Sequence, residues 1–391
     1  MRRAHLPTKI PHGRAPFKPG PQTTSNNQAQ VPKSRQGKVF RYPYISLMSL
    51  SLRFLGTAAS RPTVERNVSS IAVVREGETF LVDCGEGTQR QMMRYGISFN
   101  LGDILFTHYH ADHVLGVVGL LRTLQLQGRT EPLRLWGPTG LGRLVRLAES
   151  FGGERWGFAV EPTELEPGAS IKRTGYEIGS FPVDHRGSRS FGYALVEETR
   201  LGRFNPDLAR ALGIPEGPLW GRLHRGQTVT LDDGRIIDGA TLVGPTRPGR
   251  RVVITGDTRP ADTTVIAATD ADLLVHEATF ADEEAARAAE TGHSTAREAA
   301  TVAAAAKVRR LILTHFSARY TRDHADLERE AREVFPATSC ARDGLEIEVP
   351  YANESALATL TQAEYAGPSQ QVESASTSGT GASGSDRPGH P

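Results

Sequence analysis

From Leu50 onward the chain alternates short apolar runs with segments of helical spacing, and it breaks that rhythm in one long stretch. Ser51 to Gly56, Ser70 to Val74 and Thr79 to Val82 read as strands, with a tight turn at Glu76-Gly77, and predict an antiparallel start. Asp83-Cys84-Gly85-Glu86-Gly87 ends the third in a glycine-rich loop, and Thr88 to Tyr95 has helical spacing. Asp103 to Phe106 reads as a buried strand, Val114 to Leu126 as an apolar helix, Leu133 to Trp136 as a strand and Leu141 to Phe151 as an amphipathic helix. Further strands are expected around Phe158 to Val160, Tyr176 to Phe181 and Gly192 to Val196, then at Arg251 to Thr255, Asp272 to Val275, Arg310 to Leu313 and Leu345 to Val349. Ala281 to Glu290 and Thr295 to Val308 read as helices, the second opened by Thr295 and Glu298 at capping-box spacing. Strands alternating with helices in this way predict an α/β fold.

Residues 200 to about 250 interrupt the pattern with Pro206, Gly213-Ile214-Pro215-Glu216-Gly217-Pro218 and glycines at 221, 226, 234, 239 and 244. They read as an insertion projecting from the body, spanning about 198–250. Residues 1–45 are rich in Pro, Gln, Asn, Lys and Arg and nearly devoid of aliphatic side chains, which predicts a disordered basic arm. Residues 351–391 drift into Ser, Thr, Gly and Gln and read as a flexible tail, leaving 46–350 as the folded body.

Composition narrows the setting. No run of eighteen apolar residues occurs in the 391, so no membrane-spanning helix is expected. Met1-Arg2-Arg3 is followed by prolines rather than an apolar core, which argues against an export signal. Cys84 and Cys340 cannot build a disulfide framework and fit a reducing cytoplasm. Eleven of the 46 Lys and Arg lie in residues 1–64, which hold no Asp or Glu, so the remainder carries 35 basic against 44 acidic side chains. A polyanion would therefore need a local patch. Arg186 to Arg251, with eleven arginines, seven acids and no lysine, is the best candidate, because guanidinium groups suit phosphate.

The densest chemistry is Thr107-His108-Tyr109-His110-Ala111-Asp112-His113, on the turn expected between a buried strand and a helix. Imidazole and carboxylate ligate Zn²⁺ or Mn²⁺, and the H-x-H-x-D-H spacing is too dense for one tetrahedral ion to use all four side chains, which suggests two metals. Asp83, His185, Asp257 and His315 each follow a predicted strand, and strand ends on one sheet edge converge.

This arrangement resembles the metallo-β-lactamase fold, a four-layer αββα sandwich, here with a projecting flexible arm. Within it the chain resembles the ribonuclease Z family of tRNA 3′-processing endonucleases. The family likeness rests on the Asp83 to Gln91 stretch, Gly256-Asp257-Thr258-Arg259, His276-Glu277-Ala278-Thr279-Phe280, His293-Ser294-Thr295, Thr314-His315-Phe316-Ser317-Ala318-Arg319-Tyr320, and the Gly-Pro-containing insertion. It implies a zinc phosphodiesterase with two Zn²⁺ per subunit, Mn²⁺ fitting the same donors. One ion would fall to His108, His110 and His185, the other to Asp112, His113 and His315, with Asp257 bridging. Asp112 would orient and deprotonate the attacking water, His293 assisted by Glu277 would protonate the leaving oxygen, and Asp83 would support the ligands from behind. Arg319, Arg66 and Asn67 are expected to meet the substrate, precursor tRNA, although Val64 stands where the family's P-x-K-x-R-N loop has lysine. A cytoplasmic homodimer, each arm serving the partner's site, is likewise implied. The competing readings are a small-molecule phosphodiesterase or esterase of the same fold and a catalytically silent RNA-binding protein.

Overall fold

Apolar runs become strands whose successive side chains enter different layers, because side chains alternate between the faces of a sheet. In β1 (Leu50–Gly56), Leu50, Leu52 and Phe54 join one cluster and Leu55 another; β2 (Ser70–Arg75) separates Ile71 and Val73 from Ala72, and β3 (Glu78–Val82) separates Phe80 and Val82 from Leu81. Burial on both faces places these strands inside a layered fold. The computed structural model describes residues 49–151, 155–320 and 324–352. The arm expected over 1–45 and all but the start of the tail expected over 351–391 lie outside the described residues.

After β3 come α1 (Thr88–Tyr95), β4 (Asp103–Leu105), α2 (Ala111–Val114), α3 (Gly116–Leu126), β5 (Leu133–Gly137), α4 (Leu141–Ser150) and β6 (Val160–Glu164). β1 to β3 run antiparallel as expected, whereas β3 to β6 are parallel neighbours. The helix expected from Val114 divides at Leu115, where the chain presses against the glycine-rich loop: a Cβ on Gly116 would stand 1.9 Å from the Gly85 oxygen. α3 then buries Val117, Leu120, Leu121 and Leu124 as one stripe.

β7 (Ser170–Arg173), β8 (Tyr176–Pro182) and β9 (Phe191–Glu197) lead into the insertion, which holds α5 (Pro206–Ala211), α6 (Pro218–His224), β10 (Val229–Thr230) and β11 (Ile236–Ile237). The body resumes with β12 (Arg251–Ile254), α7 (Asp262–Ala268), β13 (Leu273–Glu277), α8 (Ala285–Thr291), α9 (Ala296–Ala305), β14 (Leu311–Thr314), α10 (Ala325–Val334), β15 (Thr338–Cys340) and β16 (Glu346–Glu348). The two large sheets have strand orders β16-β1-β2-β3-β4-β5-β6 and β15-β14-β13-β12-β9-β8-β7. Phe54, Val73, Tyr193, Ile254 and Val275 pack between them; Met92, Leu120 and Ala148 cover the first sheet, and Ala268, Ala299 and Leu327 the second. These are the layers of the expected αββα sandwich. α9 begins at the expected capping box, Thr295 and Glu298 each bonding the other's backbone N–H.

The insertion connects the adjacent antiparallel strands β9 and β12. Expected to be a flexible arm, it nevertheless has a small core: Ala209, Ile214, Leu223, Val229 and Leu242 are buried together, with Trp220 packed against them. An Arg200–Arg247 bridge closes its neck, and the Arg200 and Arg250 guanidinium groups both lie over the Tyr351 ring.

Beside that neck, buried Glu197 of β9 accepts from Arg250 at 2.7 and 2.8 Å and from Arg75 of β2 at 2.9 Å, which ties the two sheets together. Burial disfavours its charge, but Arg250 and then Arg75 outweigh burial and hold it at about 2, against an ordinary 4.5. A depressed carboxylate stabilises the fold above its unfolded value and loses that contribution as pH falls through the folded one, here from about 4.5 to about 2. We expect Glu197→Gln to cost about 3–5 kcal/mol at neutral pH and to flatten the acid limb of urea-unfolding stability. An unchanged acid limb would contradict the ion-pair account.

Candidate metal centre

The strand ends of both sheets meet at one edge, and each brings a polar side chain. Asp83 follows β3, His108 and His110 follow β4, His185 follows β8, Asp257 follows β12 and His315 follows β14. Asp112 and His113 lie within α2 rather than on the turn expected for them, with His110 as N-cap. The approach is close: a Cβ on Gly85 would meet the Asp112 carbonyl oxygen at 2.3 Å, and one on Gly256, whose φ is +65°, would meet Thr107 Cβ at 2.7 Å. Asp83 and His315 sit at φ 61° and 59°, left-handed conformations that cost roughly 1–3 kcal/mol and concentrate at functional sites.

Two separate donor sets result, His108, His110, His185 and Asp257 in one and Asp112, His113 and His315 in the other, and a third grouping, Asp257, His293 and His315, overlaps both. In the first, His110 Nδ1 lies 3.0 Å from His108 Nε2 and 3.2 Å from His185 Nε2. Nitrogens tetrahedrally placed at zinc bond lengths would be about 3.3 Å apart. In the second, His315 Nε2 lies 3.4 Å from both Asp112 Oδ2 and His113 Nε2. Asp257 joins them: Oδ1 faces His315 Nε2 at 3.2 Å and His113 Nε2 at 3.4 Å, while Oδ2 faces His108 Nε2 at 3.6 Å and His185 Nε2 at 4.0 Å. Asp257 Oδ1 is buried without a hydrogen-bond partner among the described residues, and burying such a group is costly unless a cation meets it. These donors fit a divalent metal.

Electrostatics agree. Burial opposes charge on Asp257, but His315 and His113 outweigh it and hold the carboxyl well below the usual range. Asp112 is likewise held low, against burial, by His315 and His113, and Ser60 N–H donates to its Oδ2 at 2.7 Å. Burial and neighbouring imidazoles push His108 down. His113 is raised despite burial by Asp257 and Asp83, so proton and metal compete for its Nε2. Next to the donors, His293 Nδ1 lies 2.8 Å from Glu277 Oε1. Burial opposes the imidazolium, Glu277 outweighs burial, and His293 is pushed up to about 9. Arg259 fixes this loop, bonding the His293 carbonyl at 2.6 Å and the Glu298 carboxylate.

Asp83 lies behind the donors, accepting from His113 Nδ1 at 2.7 Å and from Thr107. Three residues expected to meet substrate are engaged within the fold. Arg66 is 5% exposed, donates to Thr57 and the Ala341 carbonyl and packs on the Phe316 ring, so its guanidinium braces the loop. The backbone N–H of Asn67 donates to Asp343 at 2.7 Å and its side-chain amide to the Val68 carbonyl at 3.5 Å. Arg319 pairs with Glu284 at 3.3 Å. Val64 is 97% exposed. The Thr107 and Thr279 hydroxyls and the Gly292 carbonyl, each bonded to a donor histidine, are not metal-ligand types, and in the sequence only their nearness to His108, Glu277 and His293 marks them.

A layered αββα body with His and Asp donors at converging strand ends defines a metal-dependent hydrolase of the metallo-β-lactamase superfamily. A family model described as Metallo-beta-lactamase superfamily matches residues 63–189, and one described as Beta-lactamase superfamily domain matches residues 239–316. The chain is 67% identical over 310 residues to ribonuclease Z of Gemmatimonas aurantiaca, covering 79% of this chain and 99% of that one. It is 52% identical over 302 residues to ribonuclease Z of Myxococcus xanthus, covering 77% and 98%. The structure of human tRNase Z, short form, aligns with TM-score 0.57 and 28% identity over 77% of this chain and 99% of that one. The chain belongs to the ribonuclease Z family and is a metal-dependent endoribonuclease.

If Asp257 joins the two donor sets, the metal-free protein gains thermal stability with zinc, roughly 10 °C at saturating metal, and Asp257→Asn loses most of that gain. Differential scanning fluorimetry reads both; an equal gain in the variant would count against the bridging role.

Proposed function

We propose that this chain removes the 3′ trailer from precursor tRNA, leaving a 3′-hydroxyl on the tRNA, with two zinc ions held by the two donor sets. The observation that carries the reading is Asp257, one carboxylate oxygen toward each set, beside the Glu277–His293 pair. The imidazole-rich donors favour zinc, and manganese suits the same mixed nitrogen and oxygen ligands. Bound divalent cations would supply Lewis acidity, lowering the pKa of a water and neutralising charge on the phosphodiester.

The remaining steps belong to side chains. Asp112, ionised and pinned by Ser60 N–H, orients the attacking water and accepts its proton. His293, kept protonated by Glu277, gives a proton to the departing 3′-oxygen. Asp83 holds His113 from behind, as carboxylates commonly do for ligand imidazoles. The insertion grips the RNA: Arg203, Arg222 and Arg225 are exposed and make no ion pair among the described residues, whereas Arg210 and Arg235 are paired within it. The acting species is a cytoplasmic homodimer in which each arm serves the partner's site. The buried free thiols of Cys84 and Cys340 suit a reducing compartment, and exposed Met93 and Leu115 offer apolar surface for a partner copy.

Purified protein should cut a precursor tRNA near the acceptor end and stop when a chelator is added. Cleavage insensitive to chelator, or none at all, would sink the reading. Asp112→Ala and His293→Ala should each lower the rate roughly 100- to 10,000-fold while leaving tRNA binding intact in a filter assay. Replacing residues 201–246, between the bridged Arg200 and Arg247, by a short Gly-Ser linker should abolish tRNA cleavage and spare turnover of a small phosphodiester. Parallel loss of both activities would remove the arm from substrate recognition and favour a general role in folding.

A further inference from the structure

Four of the five donor histidines, His108, His113, His185 and His315, are hydrogen-bonded behind the donor sets. Asp83 Oδ1 accepts from Thr107 N–H at 2.8 Å, its Oδ2 from His113 Nδ1 at 2.7 Å, and the Thr107 hydroxyl reaches Oδ2 at 2.8 Å. Glu277 repeats the arrangement in the other half of the fold. It accepts from Thr258 N–H at 2.9 Å, from Thr279 N–H at 3.1 Å, from His293 Nδ1 at 2.8 Å and from the Thr279 hydroxyl at 2.6 Å. Each threonine oxygen then meets a second imidazole: Thr107 Oγ1 lies 3.0 Å from His108 Nδ1, and Thr279 Oγ1 lies 2.9 Å from His315 Nδ1.

A hydroxyl has one proton and a carboxylate has none to give. With that proton directed to Asp83 or Glu277, the oxygen has only lone pairs left for the imidazole, so Nδ1 must carry the hydrogen. Nε2 is then the bare nitrogen, and in both histidines Nε2 is the atom turned toward Asp257. His185 reaches the same state through the Gly292 carbonyl at 2.8 Å.

We infer that Thr107 and Thr279 are positioning residues that select the metal-binding tautomer of His108 and His315, one for each donor set. Glu277 thereby serves two imidazoles, His293 directly and His315 through Thr279, as Asp83 serves His113 directly and His108 through Thr107. The inference rests on the metal-centre reading above and adds residues outside the donor sets.

The test compares Thr107→Val and Thr279→Val, which keep the side-chain shape, with Thr107→Ser and Thr279→Ser, which keep the hydroxyl. Zinc affinity is measured by competition with a chromophoric chelator on the full chain. The valine variants should bind zinc about 10- to 100-fold more weakly, and the serine variants should stay close to wild type. Wild-type affinity in both valine variants, or equal losses for serine and valine, would overturn the inference. Where a valine variant does not fold, ¹⁵N-histidine NMR of the zinc-loaded wild type decides: a hydrogen on Nδ1 of His108 and His315 supports the role, and zinc bound through Nδ1 of either overturns it. Were the wild type to bind no zinc, the metal-centre reading would fall, and the tautomers read in the metal-free chain would still decide what the threonines do.

Discussion

One buried carboxylate governs the arrangement around it. Asp257 stands where the two sheets meet, with four histidine Nε2 atoms within 4.0 Å and one of its oxygens without a hydrogen-bond partner among the described residues. An ionised carboxylate so placed needs positive charge nearby, from protons or from metal. The raised affinity of His113 for a proton is one side of that demand, and the two donor sets are the other. Metal held by these donors would take the place of those protons, which couples metal binding to the protonation of the site.

The sandwich makes this possible by dividing the task. The first half supplies Asp83, His108 and His110 from the ends of β3 and β4 and Asp112 and His113 from α2, and the second supplies His185, Asp257, Glu277 and His315 from β8, β12, β13 and β14. Neither half completes a site. Their relative position is fixed by the apolar layer between the sheets and, at the neck of the insertion, by Glu197 bonded to Arg75 and Arg250. The same neck ties the proposed RNA-gripping element to the catalytic body.

Much of this could be read from the residues, for definable reasons. Strands such as β2, β12 and β13 are buried on both faces, so they appear as continuous apolar runs with sharp ends, and the ligands at those ends stand out. Short edge elements gave no such signal: β15 is Thr-Ser-Cys, and α10 buries only Leu327 and Ala331 among charged neighbours. α2 reads as part of the turn because its Ala111-Asp112-His113 are polar or small, and only Val114 joins the apolar run that becomes α3. At the site, side chains that could ligate metal were recognisable by type. Whether an arginine faces outward was not, and Arg66 is packed on Phe316 instead. The core of the insertion was also hidden, because its apolar residues are dispersed among glycines and prolines rather than periodic.

If water activated at this centre attacks phosphorus, the tRNA departs with its 3′-oxygen. Cleavage of a precursor tRNA in ¹⁸O-labelled water, followed by mass spectrometry of both products, tests it most directly. One ¹⁸O is expected in the 5′-phosphate of the trailer, with an unlabelled 3′-hydroxyl on the tRNA. A 5′-hydroxyl on the trailer with a 2′,3′-cyclic phosphate on the tRNA would mean that the RNA's own 2′-oxygen attacks, and would contradict attack by water.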